Sequence, residues 1–181
     1  MCGGGHIIVL DGASSAGKST LARSLQQVLD APYWHVSQDH FWQMLPPKGT
    51  DQRNNLTPEG CLSGFHQAIT GIAASGNNLI VDTGFLDKAW LVELVHLLTP
   101  YRVFFVAVYC SLDELKRRER QRGDRPEGYT QSQIDRVYHH GFYDMEIDTS
   151  TRTPEACALL LKEALSQATS PSAFQQMSTD T

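Results

Sequence analysis

A glycine-rich segment near the amino end constrains the fold of this 181-residue chain more than any other feature. It reads Gly12-Ala-Ser-Ser-Ala-Gly-Lys-Ser19 and matches G-x-x-x-x-G-K-[ST] at every fixed position. The continuous apolar run Ile7–Leu10 precedes it, which predicts a strand buried on both faces. Apolar residues at helical spacing follow it over residues 18–29. A strand, a glycine-rich loop and a helix in this order predict a phosphate-binding loop, or P-loop.

Each fixed position of this P-loop has a task in binding a nucleoside triphosphate. Gly12 and Gly17 permit a close backbone approach that a Cβ would block. The loop amides converge on phosphate oxygens at the positive end of the following helix. Lys18 reaches the outer phosphates, and the Ser19 hydroxyl ligates Mg²⁺. We therefore predict ATP and Mg²⁺ as cofactors, with a nucleotide site that contains Gly12, Ala13, Ser14, Ser15, Ala16, Gly17, Lys18, Ser19 and Thr20.

The rest of the chain alternates apolar strand candidates with helical segments. We predict further strands at 33–36, 79–81, 103–109 and 145–147, with helices between them and a loop over 46–57. We predict helix caps at Thr57, Asp87, Ser111, Thr130 and Thr153, with Gln133 as the partner of Thr130 in its cap. This alternation indicates an α/β fold of three layers, in which helices cover both faces of a mainly parallel five-stranded sheet. We expect a single domain over residues 1–168. The tail over 169–181 is rich in Ser, Thr, Gln and Pro, so we expect it to be disordered.

Composition excludes several function classes. Fifteen Lys and Arg against 20 Asp and Glu give a net charge of -5, which argues against a nucleic-acid coat or a polybasic membrane binder. The four cysteines form no C-x-x-C pair, so neither a zinc site nor a disulfide framework is predicted. No long apolar stretch suggests a signal peptide or a membrane span. We expect a cytoplasmic protein without nucleic-acid or membrane partners, and the sequence does not indicate an oligomeric state.

Three carboxylates, Asp39, Asp82 and Asp148, follow predicted strands at the edge of the sheet where ligands of open α/β sheets bind, and we interpret Asp148 as structural. Asp82 comes after Leu79-Ile-Val81 and resembles a Walker B acid that holds Mg²⁺ or its water. The alternative for Asp82 is an ordinary aspartate at a turn or helix start. Asp39 is the candidate general base, because a kinase acting on a hydroxyl needs a carboxylate to accept the proton. The alternative for Asp39 is an N-cap of the helix that begins near His40.

A basic helix carries the candidate lid. Its cations fall within ten residues, at Lys116, Arg117, Arg118, Arg120, Arg122 and Arg125. In a continuous helix, positions 118, 122 and 125 share one face, and arginine forks suit phosphate oxygens. We predict a short arginine-rich lid over residues 116–130, with Arg118 binding nucleotide and with Arg122 and Arg125 acting in catalysis. The alternative is a solvated helix face with ion pairs between residues 114 and 118 and between residues 113 and 117.

The chain resembles a known family, the chloramphenicol phosphotransferases, which are small P-loop kinases similar to nucleotide and shikimate kinases. The matching stretches are Gly12–Ser19, Trp34 through Asp39 to Pro46, Leu79–Asp82, Arg118–Arg125 and His139–Thr149. The segment Arg122-Gly-Asp-Arg125, followed by His-x-Gly and Tyr-Asp, is more specific than the P-loop alone. In this chain Thr83 stands where many relatives carry a second acid.

The resemblance implies ATP-dependent transfer of the γ-phosphoryl group to a hydroxyl of a small molecule, in the manner of chloramphenicol 3-O-phosphotransferase. It implies that Asp39 is the catalytic base, and that Lys18, Arg122 and Arg125 hold the transferring phosphoryl group. The segment after Asp148 would border the adenine. The aromatic residues Phe41, Trp42 and Phe85 would line the acceptor side, with ordinary core positions as the alternative.

Two other functions fit the same sequence features. The same fold could phosphorylate another small metabolite or a nucleotide, as shikimate, gluconate and nucleoside monophosphate kinases do. A nucleotide-binding regulatory module without transfer activity is the alternative from another class. The charge of -5 disfavours a nucleic-acid end kinase, which needs a basic groove.

Overall fold

A five-stranded parallel sheet forms the centre of the protein in a computed structural model that describes residues 5–123, 128–140, 142–168 and 170–179. The strands are β1 His6–Asp11, β2 Tyr33–Ser37, β3 Asn78–Thr83, β4 Arg102–Tyr109 and β5 Met145–Asp148. Their order is β2-β3-β1-β4-β5, and each neighbouring pair is parallel. This sheet confirms the predicted α/β class.

The described helices connect these strands and extend to the carboxyl end. They are α1 Lys18–Val28, α2 Gln38–Gln43, α3 Asp51–Asn54, α4 Pro58–Ala74, α5 Lys88–Leu98, α6 Leu112–Arg122, α7 Tyr129–Ile134, α8 Pro154–Gln167 and α9 Ala173–Thr179. The side chains of Thr57, Asp87 and Thr153 accept backbone N–H bonds at the starts of α4, α5 and α8. Local capping signals therefore position these three helix starts.

Alternating side chains of β1 divide the core into two apolar layers. Ile7 and Val9 pack with residues of α4, α5 and α9 on one face of the sheet. Ile8 and Leu10 pack with residues of α1, α6 and α8 on the other face. Because both faces are covered by helices, the strands are continuously apolar, as is usual in parallel sheets. The predicted three-layer arrangement is confirmed.

The carboxyl tail departs from the expectation of disorder. Residues 173–179 form α9, and Phe174 is buried against Phe105 with their ring centroids 5.0 Å apart. The carboxylate of Asp144 accepts a hydrogen bond from the Ala173 N–H at 2.7 Å. The prediction failed because it weighed the polar composition of the tail, whereas one aromatic side chain and one anchored helix start hold it on the core.

The segments around the candidate lid differ from the predicted capping patterns. The side chain of Ser111 makes no capping bond at α6, and the backbone N–H of Ser111 donates to the Ser150 hydroxyl. Helix α7 begins after Gly128, and Thr130 lies inside it. Both the N–H and the hydroxyl of Thr130 donate to Glu119 of α6. The carboxylate of Glu119 therefore joins the two helices of the candidate lid.

No helix in the described ranges is long and apolar enough to cross a membrane.

Candidate active site

The P-loop runs from the end of β1 into α1 with a backbone that requires its two glycines. Gly17 is the N-cap of α1 with a φ of 95°, in the left-handed region that favours glycine. A Cβ on Gly12 would lie 2.5 Å from the carbonyl oxygen of Val108. The Lys18 ammonium donates to the carbonyls of Gly12 and Ala13 at 2.7 and 2.9 Å. The positive charge of Lys18 therefore lies against the P-loop, at the carboxyl end of β1.

A short contact joins the end of the P-loop to β3. The Ser19 hydroxyl donates to Asp82 Oδ2 at 2.6 Å, and His35 Nε2 lies 3.4 Å from the same oxygen. Burial alone would raise the pKa of Asp82, but the His35 hydrogen bond, the Lys18 charge and the Ser19 hydroxyl together lower it below its usual value. Asp82 is therefore an ionised carboxylate at the carboxyl end of β3.

Ser19 and Asp82 are oxygen donors of the kind that Mg²⁺ takes when phosphates and waters supply the rest of its shell. No group of three or more His, Cys, Asp or Glu that could hold a metal occurs within the described ranges. The donor set thus fits a magnesium ion that arrives with a nucleotide rather than a metal held by protein ligands alone. Thr83, at the place of a second acid, donates its hydroxyl to Gln38 Oε1 at 2.8 Å.

Asp39 is the second residue of α2, next to Gln38 and close to the end of β3. The N-cap of α2 is Ser37, so the structure does not adopt the alternative in which Asp39 caps the helix. The bond between Thr83 and Gln38 ties the first turn of α2 to the sheet. Asp39 is half-buried and faces the same region as Lys18 and Asp82.

Two cavities meet above this edge of the sheet. The P-loop cavity, of about 640 Å³, is lined by the P-loop, α6 and the segment from Thr149 to Cys157. The α2 cavity, of about 560 Å³, is lined by α2, the 45–48 segment, Arg53, the 82–86 segment and α7. The residues that line both are Ser14, Lys18, Asp39, Gln43, Asp82 and Arg122. The predicted base, the P-loop lysine and one lid arginine therefore lie at the junction.

The lid arginines have different surroundings. Arg118 donates to Glu114 at 2.8 Å and to the Thr149 carbonyl at 2.8 Å, and it lines the P-loop cavity. Arg122 ends α6 at the junction of the cavities. The predicted catalytic Arg125 lies outside the described residues.

One of the two ion pairs in the alternative account of the basic helix is formed. Glu114 pairs with Arg118, as that alternative expects, and Arg117 pairs with Glu114 rather than with Asp113. Hydrogen bonds from Arg117 and Arg118 lower the pKa of Glu114 to about 2. Arg118 forms an ion pair with Glu114 and also lines the P-loop cavity. An ion-paired helix face is therefore compatible with a lid whose Arg118 binds nucleotide.

Two residues that the sequence did not single out contact the P-loop amides. Gln133 Oε1 accepts from the Ser14 N–H at 2.8 Å, and the Tyr138 hydroxyl lies 3.2 Å from the Ala13 nitrogen. Tyr138 has a φ of 78°, a strained value for a residue with a side chain. Its hydroxyl also donates to the Val108 carbonyl at 2.8 Å. A positive φ at a non-glycine residue gives no sequence signal, and the spacing of Gln133 from Thr130 predicts only a helix cap.

Asp11 is a buried carboxylate directly before the P-loop. It accepts hydrogen bonds from the Tyr143 hydroxyl at 2.6 Å and from the Phe85 N–H at 2.9 Å. Burial raises the pKa of Asp11, although these hydrogen bonds and the Lys18 charge act in the opposite direction. Asp11 thereby connects the start of the P-loop to the loop after β3.

The three candidate acceptor aromatics divide between the core and the cavity. Phe85 is 1% exposed and packs edge-on against Phe105, with ring centroids 6.0 Å apart. Phe41 packs against Phe65 of α4 at 5.4 Å. Trp42 lines the α2 cavity. The core alternative therefore holds for Phe85 and Phe41.

Comparison with solved structures identifies the architecture. The APS kinase CysC of Mycobacterium tuberculosis, solved with AMPPNP and APS, aligns over 91% of this chain and 99% of its own, with a TM-score of 0.69 and 15% identity. A gluconokinase from Sinorhizobium meliloti 1021 aligns over 91% and 94%, with a TM-score of 0.64 and 18% identity. At this identity the likeness shows the P-loop kinase fold.

Comparison of sequences identifies the family. Two Mycobacterium tuberculosis proteins, "Putative O-phosphotransferase MT2714" of strain CDC 1551 / Oshkosh and "Putative O-phosphotransferase Rv2636" of strain ATCC 25618 / H37Rv, are each 28% identical over 198 residues, which cover 96% of this chain and 88% of theirs. The sequence profile of the chloramphenicol phosphotransferase-like proteins matches residues 5–166. Since that match spans most of the sequence and agrees with the fold, the chain belongs to the chloramphenicol phosphotransferase-like family and is a phosphotransferase.

Proposed function

We propose that the protein transfers the γ-phosphoryl group of ATP to a hydroxyl group of a small molecule. The observation that carries this proposal is the junction of two cavities at Lys18, Asp39, Asp82 and Arg122. A kinase needs a site for a triphosphate, a second site for an acceptor, and charged groups where the two meet. The P-loop cavity suits the nucleotide, and the α2 cavity suits the acceptor.

The P-loop and its surroundings support the proposed nucleotide binding. The loop amides and the amino end of α1 present N–H groups and a positive potential to the phosphates. Lys18 must leave the carbonyls of Gly12 and Ala13 to contact the outer phosphates. Arg118 and Arg152 line the same cavity and add positive charge. Ser15, Ala16 and Thr20 belong to the same loop and helix start.

The metal proposal rests on the contact between Ser19 and Asp82. Magnesium held there with the phosphates would supply charge neutralisation of the triphosphate. Asp82 suits this role because its lowered pKa keeps it ionised. His35 holds the carboxylate from the side of β2.

Asp39 is the proposed general base. In the transfer step the acceptor oxygen forms a bond to the γ-phosphorus, and the bond between that phosphorus and the β–γ bridging oxygen breaks. The acceptor proton passes to Asp39, and ADP leaves. Lys18, Arg122 and, by family resemblance, Arg125 would balance the negative charge that spreads over the phosphoryl oxygens.

Family membership makes chloramphenicol, a neutral alcohol, one acceptor to include in a test. The α2 cavity has the volume of a typical small-molecule site, and Trp42 offers one aromatic wall. Asp39 lies where that cavity meets the P-loop cavity, so a hydroxyl bound there would face the base.

The proposal is tested by measuring ADP formation with a panel of alcohols that includes chloramphenicol. We expect acceptor-dependent ADP with the wild type and a loss of about a hundredfold or more in Asp39→Asn. Asp113→Asn, at an exposed position on α6, is the matched control and should keep wild-type turnover. Tight ATP binding without stimulation by any acceptor would favour a regulatory module instead. Unchanged turnover in Asp39→Asn would exclude it as the base.

A further inference from the structure

The α2 cavity is lined by cations that have no role in the proposed phosphoryl transfer. Its charged residues are Lys18, Lys48, Arg53 and Arg122 against Asp39 and Asp82. Both carboxylates, with Lys18 and Arg122, also line the P-loop cavity. Lys48 and Arg53 line the α2 cavity alone. Among the described residues, the α2 cavity therefore has two cations that do not line the P-loop cavity. Both carboxylates that line the α2 cavity also line the P-loop cavity.

Lys48 and Arg53 are not neutralised by neighbouring acids. Neither forms an ion pair with a residue in the described part of the chain. This contrasts with Arg117, Arg118 and Lys162, each of which pairs with a carboxylate. In a chain with a net charge of -5, two such cations on one concave wall are a local feature that attracts anions.

Arg53 is held in place by α3 and by Trp42. Thr50 caps α3 by accepting from the Arg53 N–H at 3.3 Å. The guanidinium carbon lies 5.9 Å from the centre of the Trp42 ring, and Nη1 lies 3.4 Å from the Trp42 carbonyl oxygen. A guanidinium has further N–H donors in a planar fork that matches the two oxygens of a carboxylate or phosphate. Arg53, held beside Trp42, is thus placed to bind an oxyanion from the cavity wall.

We infer that the acceptor is an alcohol that carries an oxyanion group, a carboxylate or a phosphate, bound by Arg53 and Lys48. This inference rests on the proposed function, because the inferred binding mode places the hydroxyl of the acceptor near Asp39 and the anionic group of the acceptor toward α3. A neutral alcohol would leave both cations without a partner. Arg53 acts here as a specificity residue, remote from the reacting atoms.

The first experiment measures binding and needs no turnover. The full-length protein is saturated with Mg²⁺ and the non-hydrolysable analogue AMPPNP, so that the P-loop is occupied. Calorimetry then measures the affinity for pairs of alcohols that differ in one anionic group. Gluconate against sorbitol, and shikimate against its methyl ester, test a carboxylate. AMP against adenosine tests a phosphate.

The second experiment compares variants with matched controls. Arg53→Gln and Lys48→Gln remove the two wall cations, whereas Arg102→Gln and Lys88→Gln remove exposed cations outside both cavities. Unchanged affinity for AMPPNP shows that each variant is folded. The acceptor KM in the ADP assay is measured for every pair member that is phosphorylated.

We expect the anionic alcohol of at least one pair to bind the protein. We expect its affinity to be at least tenfold higher than that of the neutral alcohol of the same pair. Arg53→Gln should weaken that binding, or raise that KM, by about 10- to 100-fold, the range for a charge-assisted hydrogen bond, with kcat changed less. The controls should change neither value. Preference for the neutral members, binding that does not depend on Arg53, or no bound anionic member would overturn the inference.

The two proposals can fail separately. A neutral alcohol that is phosphorylated equally well by wild type and Arg53→Gln would leave the kinase function intact and overturn the anionic acceptor. An anionic alcohol that binds through Arg53 without ever yielding ADP would support the anion site and contradict the kinase function.

Discussion

The side-chain carbonyl of Gln133 accepts a hydrogen bond from the backbone N–H of Ser14 at 2.8 Å. Gln133 belongs to α7, which Glu119 ties to α6 through Thr130. The helices of the candidate lid therefore contact a P-loop amide through one buried side chain. The side-chain amide of Gln133 can act in two ways at this position. Its oxygen accepts a hydrogen bond from the P-loop, and its nitrogen can donate one to a phosphate.

Gln133→Glu should weaken nucleotide binding. The glutamate keeps the size and the accepting oxygen of glutamine, but it loses the donating nitrogen and puts a negative charge next to the Ser14 amide of the P-loop, where that charge would repel phosphate oxygens. We expect the Kd for Mg·AMPPNP to rise by about tenfold or more. Gln131→Glu adds the same charge to α7 outside both cavities and is the control. Equal affinity in the two variants would show that Gln133 does not face the nucleotide.

Ser19→Ala and Asp82→Asn should weaken the effect of magnesium rather than nucleotide binding in general. Each removes an oxygen donor of the proposed metal site, so the apparent Mg²⁺ affinity in the ADP assay should fall by about tenfold or more. Nucleotide affinity in EDTA should change less. Ser24→Ala, in the same helix and away from both cavities, serves as the control. A shift in nucleotide affinity that is equal with and without magnesium would contradict this role.

Asp11→Asn should change the pH dependence of stability. Because burial raises the pKa of Asp11, the folded state retains a proton there at pH values where the unfolded chain has released it. The free energy of unfolding of the wild type should therefore fall, through this residue, as pH rises above its unfolded pKa. Asparagine does not ionise, so the Asp11→Asn variant lacks this contribution to the pH dependence of stability.

The measurement for Asp11 is urea unfolding at several pH values from about 4 to about 8. We expect the stability of Asp11→Asn relative to wild type to increase as pH rises from the unfolded pKa of aspartate to the raised folded pKa of Asp11, and then to level off. Asp135→Asn, at an exposed position, controls for the loss of one carboxylate. A relative stability that decreases with pH would mean that Asp11 is stabilised in its ionised form.

Phe174→Ala should destabilise the fold although it lies in the tail. Phe174 is 2% exposed and packs edge-on against Phe105 in the core. Its removal should cost about 3 kcal/mol in the free energy of unfolding. Phe142 is 51% exposed, so Phe142→Ala is a matched control with an expected cost below about 0.5 kcal/mol. Similar values for the two variants would show that α9 does not contribute to the core.

The sequence was sufficient for features that depend on short segments. The strand of β1, the P-loop and the start of α1 occupy consecutive residues, and their pattern is carried by side-chain type alone. The caps at Thr57, Asp87 and Thr153 bond to N–H groups two or three residues away. Burial of both faces of the strands follows from their continuous apolar runs.

Features that depend on distant residues were missed or misassigned. The spacing of Gln133 from Thr130 predicts a helix cap, whereas its hydrogen-bond partner Ser14 is far away in the chain. Helix α9 was missed because Phe105 and Asp144, which hold it, lie well before it in the sequence. Lys48 and Arg53 lie in a segment whose composition predicts only a loop, so the sequence gives no sign that both line the α2 cavity.

Transfer of the γ-phosphoryl group itself is the most direct test of the proposed function. The protein is incubated with Mg²⁺, an acceptor that stimulates ADP formation, and ATP labelled with ¹⁸O on the γ-phosphoryl group, and the products are analysed by mass spectrometry. We predict an acceptor phosphate ester that carries the labelled oxygens, formed in equal amount to ADP and lost in Asp39→Asn. Labelled inorganic phosphate with no acceptor ester would contradict the account, because it would show hydrolysis of ATP without transfer to a hydroxyl.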